Sequence, residues 1–124
     1  MKFLKNHREL RVYARSFEAA MKIFDLSKVF PKEETYSLTD QIRRSSRSVS
    51  SNIAEAFRRR KYPKSFVSKL NESEAESAET QNWSDFAIKC GYIDEKIFEE
   101  LDEVYEEIIG MLVNMQRSPG KWSI

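Results

Sequence analysis

The stretch "QIRRSSRSVSSNIAEAFRRRKY", Gln41 to Tyr62, decides the fold. Taken with Leu38 just ahead of it, Ile42, Val49, Ile53 and Ala56 recur with the period of one helix face. At about 100° per residue, Arg43, Arg47, Arg58 and Lys61 gather within roughly 60° on the opposite side. Arg44 and Arg59 widen that stripe. Serines fill the edges, and Ser45 falls on the inner face, where a small side chain lets a neighbouring helix approach closely. The segment is therefore an amphipathic helix that buries one side and presents cations on the other. Asn52 and Glu55 stand three apart at the boundary of the apolar face, hence side by side. A polar pair there costs desolvation unless it is partnered. Either it fixes helix register or a subunit contact, the reading favoured by the small residues around it, or it bridges to Arg58 or Arg59 at the surface.

Three further helices are expected around this one. Leu10, Tyr13, Ala14, Phe17, Ala20, Met21 and Phe24 give residues 9–29 an apolar stripe, which Pro31 ends by disfavouring helix at Phe30. Residues 38–60 follow, with Ser37 as cap and Asp40 three positions on. Pro63 then suits a first turn, and residues 64–90 make a third helix with the poorest stripe. Phe66, Val67 and Leu70 open it; Trp83, Phe86, Ala87 and Cys90 close it; the middle offers only Ala75 and Ala78. Gly91 terminates it and Asp94 caps residues 95–117, whose apolar set is Ile97, Leu101, Val104, Ile108, Met111, Leu112 and Met115. Helices of this length with short connections run antiparallel, so the expectation is a single all-α domain over residues 1–124, an antiparallel up-down-up-down four-helix bundle.

Composition agrees. Three glycines and three prolines in 124 residues are too few for a turn-rich sheet fold. One cysteine excludes an internal disulfide and a cysteine-based zinc site, and no apolar run is long enough to cross a membrane. With no signal-peptide pattern at the start, a cytoplasmic location is expected. The net charge is only +1, but its distribution is uneven. Residues 1–64 hold 16 Lys/Arg against 7 Asp/Glu, and residues 65–124 hold 5 against 13. Such asymmetry fits a polyanion-binding face or a self-complementary surface, the alternative being attraction between helices of one monomer.

Catalysis lacks an inventory. His7 is the only histidine, so neither a histidine-based metal site nor a relay can be built. Cys90 at a helix C-terminus disfavours a thiolate and reads as a small buried hydrophobe. No phosphate loop or nucleophile elbow occurs. No catalytic residue, metal or cofactor is expected, and the glutamates of Glu99–Glu107 read as a solvated face.

The segment "FPKEETYSLTDQIRRSSRSVSSNIAEAFRR" resembles the signature of the four-helix bundle family encoded in intervening sequences of 23S ribosomal RNA genes, also labelled S23 ribosomal protein. The matching positions are Phe30–Pro31, Leu38–Thr39, Gln41, Arg44, Ser48, Asn52, Ile53, Ala54 and Glu55. "EAESAETQNW" and Gly91–Ile93 resemble the family's third helix and its turn, so the likeness covers nearly the whole chain. It departs at Ala56, where the family commonly has glycine, and in a third helix without the Gly-Ser of some branches. The resemblance implies homopentameric rings and kinship to the basic accessory protein of diversity-generating retroelements, which binds nucleic acid and a reverse transcriptase. The expectation is a non-enzymatic homo-oligomer, a pentamer on this resemblance, that binds RNA or an RNA–protein partner through Arg43, Arg44, Arg47, Arg58, Arg59 and Lys61. The alternative is a protein-interaction module whose arginines serve only subunit contacts. In the ring expected from the charge split, the acidic back of one subunit meets the basic front of the next, with Phe98, Tyr105 and Ile109 as the apolar part of the contact and Asn52 and Glu55 as further assembly residues.

Overall fold

The computed structural model describes residues 3–124. Among them, four α-helices form: α1 (Arg11–Ser27), α2 (Leu38–Arg58), α3 (Pro63–Lys89) and α4 (Glu95–Arg117). Short 3-10 turns occupy His7–Glu9, Lys32–Glu34 and Pro119–Lys121, and no described residue is in a strand. Each helix packs on the next in chain order, and α1 closes the square against α4. The chain is an all-α four-helix bundle, and no helix is long and apolar enough to cross a membrane.

The ends of the helices follow local chemistry. α1 begins at Arg11 because the residues before it close a turn of their own. Asn6 accepts from the Arg8 amide at 2.9 Å, Glu9 accepts from the Asn6 amide at 2.7 Å, and Leu10 is extended. Gly91, at φ +79°, turns the chain after α3, and Asp94 caps α4 by accepting from the Ile97 amide at 2.8 Å. The expected Ser37 cap on α2 is corrected. Ser37 Oγ donates to Glu34 at 2.6 Å, and the same Glu34 oxygen receives the Leu38 amide at 3.3 Å, so the carboxylate caps the helix. Its second oxygen accepts from the Tyr92 hydroxyl at 2.9 Å.

These bonds, chiefly those from Ser37 and Tyr92, hold the Glu34 carboxyl below its ordinary value near 4.5. A carboxyl depressed on folding stabilises the fold above its unfolded pKa, and that contribution is lost as pH falls through the folded one. Melting temperature should therefore decline below about pH 4.5, and Glu34→Gln should lower it at neutral pH while flattening this part of the acid limb. Thermal melts across pH 2–7 check both. An unchanged melting profile in the variant would remove Glu34 as the cap.

The core is built from positions alternating four and three apart. On α3 these are Phe66, Leu70, Ser73, Ser77, Thr80, Ser84 and Ala87; on α4 they are Leu101, Tyr105, Ile108, Leu112 and Met115. This period of about 3.5 residues is the seam of left-handed, shallow-angle packing. It explains the serines of α2. Ser45 is fully buried, as its inner position implied, and Thr80 Oγ1 lies 2.8 Å from its Oγ. Ser73 Oγ donates across the seam to the Val49 carbonyl at 2.7 Å, a reach that requires the α2 and α3 backbones to run close. Ser77, Ser46 and Ser50 donate to carbonyls three or four residues back on their own helices, so each is satisfied without a partner elsewhere. The hydroxyls are core residues chosen for size.

Four expectations are corrected here. The core face of α1 is Val12, Ser16, Ala19, Ala20, Ile23 and Ser27; Tyr13 and Phe24 are only half-buried, and Ala14, Phe17 and Met21 are exposed. The middle of α3 buries Ser73, Ser77 and Thr80, while Ala75 and Ala78 face outward. Cys90 is exposed rather than buried. Tyr105, assigned to a subunit contact, is fully buried within its own bundle, where the heptad spacing from Leu101 places it. Among the described residues its hydroxyl has no hydrogen-bond partner, and burial pushes its pKa up. Tyr105→Phe should therefore be neutral or stabilising by up to about 1 kcal/mol, since it removes an unsatisfied buried polar group without opening a cavity. Denaturant unfolding measures it, and a loss above about 1 kcal/mol would mean that the hydroxyl has a partner after all.

Candidate nucleic-acid interface and assembly face

The six cations assigned to α2 do not form one stripe. Arg43 is half-buried: its Nε donates to Ser27 Oγ at 2.7 Å and its guanidinium lies 4.8 Å from the Phe24 ring centre. Arg47 leans the same way, 5.6 Å from that ring, but is exposed. Arg44 turns to α3 and pairs with Glu79 at 3.1 Å. Glu76 lies 3.9 Å from the same guanidinium, and burial, reinforced by Glu79, raises its pKa. The first half of the stripe thus ties α2 to α1 and α3.

The second half differs. Arg58, Arg59 and Lys61 are exposed, and among the described residues none of them has a carboxylate within 4.0 Å. Arg59 reaches Ser65 Oγ at 3.2 Å, across the turn into α3. Between them sits a residue that the sequence reading passed over. Arg60 is buried, with its guanidinium 3.7 Å from the Phe57 ring centre and its Nε donating to the Phe57 carbonyl at 2.9 Å. Its Nη2 donates to the Leu4 carbonyl at 3.3 Å, which draws the N-terminal arm onto this end of the bundle. The signal lay in phase: Arg60 falls one step past the arginine stripe, beside the core-facing Phe57.

The arm adds charge. His7 packs edge-on against Tyr13 at 4.6 Å, and its pKa is lowered by burial and by the neighbouring Arg8 and Arg58. Glu9, on the same turn, is the acidic residue near Arg60.

The other assigned residues separate by face. Glu55 pairs with Lys69 of α3 at 3.3 Å rather than with Arg58 or Arg59, and Asn52 is half-buried on the same side of α2. Phe98 and Ile109 are half-buried on α4. Steps of about 100° set them on the side of Asp102 and Glu106, the residues that receive Gln81 of α3 at 3.3 and 2.7 Å. This α3–α4 side is acidic, with Glu95, Glu99, Glu103 and Glu106 exposed.

Across the square from it lies an apolar cleft of about 340 Å³ between α1 and α2, lined by Tyr13, Phe17, Met21, Arg47, Ser51 and Ala54. Phe17 is 50% and Met21 48% exposed. Tyr13, Phe17 and Met21, which the sequence places in the core of α1, thus form a second, outward apolar face, while Leu10 and Ala20 of the same stripe are buried as expected. Part of the charge asymmetry is consumed inside the monomer, where Arg11 and Arg15 pair with Glu107 and Lys22 with Glu100.

Comparison with known proteins places this arrangement. Residues 8–114 match the family model described as 23S rRNA-intervening sequence protein. A crystal structure of a protein of unknown function from the S23 ribosomal protein family of Bacteroides thetaiotaomicron VPI-5482 superposes with a TM-score of 0.77. That protein is 30% identical, and the match covers 86% of this chain and 95% of that one. No curated protein shows significant sequence similarity to the chain.

Proposed function

We propose, since the chain belongs to the 23S rRNA-intervening sequence protein family, that it is a non-enzymatic homo-oligomer that binds RNA, or an RNA–protein partner, through the C-terminal end of α2. The observation that carries this reading is the division of the cations along α2 and the turn that follows it. Arg43 and Arg44 are engaged within the bundle, whereas Arg58, Arg59 and Lys61 are exposed and have no carboxylate partner among the described residues. Unpaired cations at one end attract phosphates and release counterions on binding, so affinity should fall steeply with salt.

Self-association is supported by the two opposed faces. The cleft carrying Phe17, Met21 and Arg47 is apolar and cationic; the α3–α4 side carrying Phe98, Ile109 and Glu106 is apolar at its edge and acidic. A second copy of the chain therefore offers the complement of the cleft. Two distinct faces of one subunit make a heterologous contact, which generates a ring where the rotation between subunits closes; a pentamer is the ring proposed. The Arg44–Glu79 pair favours a second reading, in which all the arginines are structural.

The triple variant Arg58→Gln/Arg59→Gln/Lys61→Gln separates the two. It should lose RNA retention and flatten the log affinity–log salt slope by about 2–3, with the oligomer intact. Dissociation of the oligomer with no change in RNA retention would make these cations structural.

A further inference from the structure

We infer that the turn between α2 and α3 is a binding site for an unpaired polynucleotide strand, with one base stacked on Tyr62 and the flanking phosphates held by Arg58, Arg59, Lys61 and Lys64. This rests on the RNA-binding reading above and deepens it, because phosphate contacts alone would not distinguish single from double strands.

The turn places an aromatic ring where such a strand would need it. Tyr62 is 59% exposed, although its backbone is fixed at both ends: its amide donates to the Arg59 carbonyl and its carbonyl accepts from the Phe66 amide, each at 2.9 Å. Pro63 as the first residue of α3 stiffens the same point. A rigid, exposed ring loses little conformational freedom when a base stacks on it. Lys61 Nζ stands 5.4 Å from the ring centre, so a cation accompanies the stacking surface. The other aromatic nearby, Phe57, is buried under Arg60 and unavailable.

Charge frames the ring. Arg8, Arg58, Arg59, Lys61 and Lys64 are all exposed, and among the described residues none of them has a carboxylate within 4.0 Å. Arg60 fastens the arm carrying Arg8 to the turn through the Leu4 carbonyl, so the cations come from three segments converging on one end. Glu9 sits on this end too, where one oxygen of its carboxylate accepts from both the Lys5 and Asn6 amides at 2.8 and 2.7 Å, so a single acidic side chain stands among these five cations. A duplex buries its base faces and could use only the cations. A single strand exposes those faces, and stacking on an aromatic ring tolerates any base.

The test measures binding of the full chain to a labelled RNA of roughly 12 nucleotides, single-stranded and as a duplex, with Tyr62→Ala and Tyr62→Phe. Tyr62→Ala should weaken single-strand binding about 5- to 150-fold and leave duplex binding within about twofold, while Tyr62→Phe keeps both. Wild-type single-strand binding that Tyr62→Ala does not alter, or equal losses on both RNAs, would overturn the stacking site and leave the RNA-binding reading standing. A glutamate-rich peptide of matched charge that loses affinity as much as the single strand would reassign the turn to an acidic protein segment. Wild-type protein that binds neither RNA at low salt would overturn the RNA-binding reading itself.

Discussion

Phe17→Glu should convert the proposed oligomer into a folded monomer of 14.6 kDa. Phe17 is half-exposed on the outer side of α1, so a carboxylate there disturbs little within the bundle, whose α1 contacts run through Val12, Ala19 and Ile23. In the proposed assembly the ring sits at the centre of the α1–α2 cleft, against the acidic α3–α4 side of the next subunit. The substitution removes an aromatic anchor and sets like charges together. Losing a central anchor typically costs on the order of 2–4 kcal/mol, a weakening of each contact of about 30- to 1,000-fold. Sedimentation and circular dichroism on one sample read both halves of the outcome. Unchanged mass in this variant would mean that subunits meet elsewhere.

Ser77→Leu should destabilise the bundle by about 3 kcal/mol or more, and Ser77→Ala by less than about 1 kcal/mol. Ser77 is fully buried on the α3 seam, and its hydroxyl donates to the Ser73 carbonyl of its own helix at 2.9 Å. The alanine variant therefore removes a bond that left no partner stranded across the interface. The leucine variant adds a branched chain where Ser73 and Thr80 reach α2 at 2.7 and 2.8 Å, and the helices must separate to admit it. Thermal melts at fixed concentration should show a drop of roughly 10 °C or more for leucine. If leucine were tolerated as well as alanine, the α2–α3 seam would not be tightly packed.

The same seam shows how far the sequence could be read. Helix number and order were legible because Pro31, Pro63, Gly91 and Asp94 each act through local backbone chemistry that tertiary contacts do not override. Ser45 was legible too, since it shared a face with Ile42 and Val49. Ser73, Ser77 and Thr80 were not, because polarity pointed outward while position pointed inward. A strict four-three count from Phe66 through Ala87 finds all of them without reference to hydrophobicity. On α1 the error ran the other way. Two apolar faces compete there, and the bulkier one, with Tyr13, Phe17 and Met21, lies largely outside the core while Ser16 and Ala19 pack within it.

For the site, angular position on α2 separated cations from core, but it could not say which cations the neighbouring helices would engage. Glu79 lies 35 residues from Arg44, and Ser27 lies 16 from Arg43. Contacts at that separation exist only once the bundle has formed. Arg60 was missed because its charge suggested solvent, whereas the residue is buried with its guanidinium over the Phe57 ring.

The most direct test of a homo-oligomer that binds RNA is light scattering on the wild-type protein as it elutes from a sizing column, with and without a structured RNA at low salt. The account predicts a mass that is a multiple of 14.6 kDa and an RNA that co-elutes with that multimer, then separates from it as salt rises. A 14.6 kDa monomer that leaves the RNA free would contradict it.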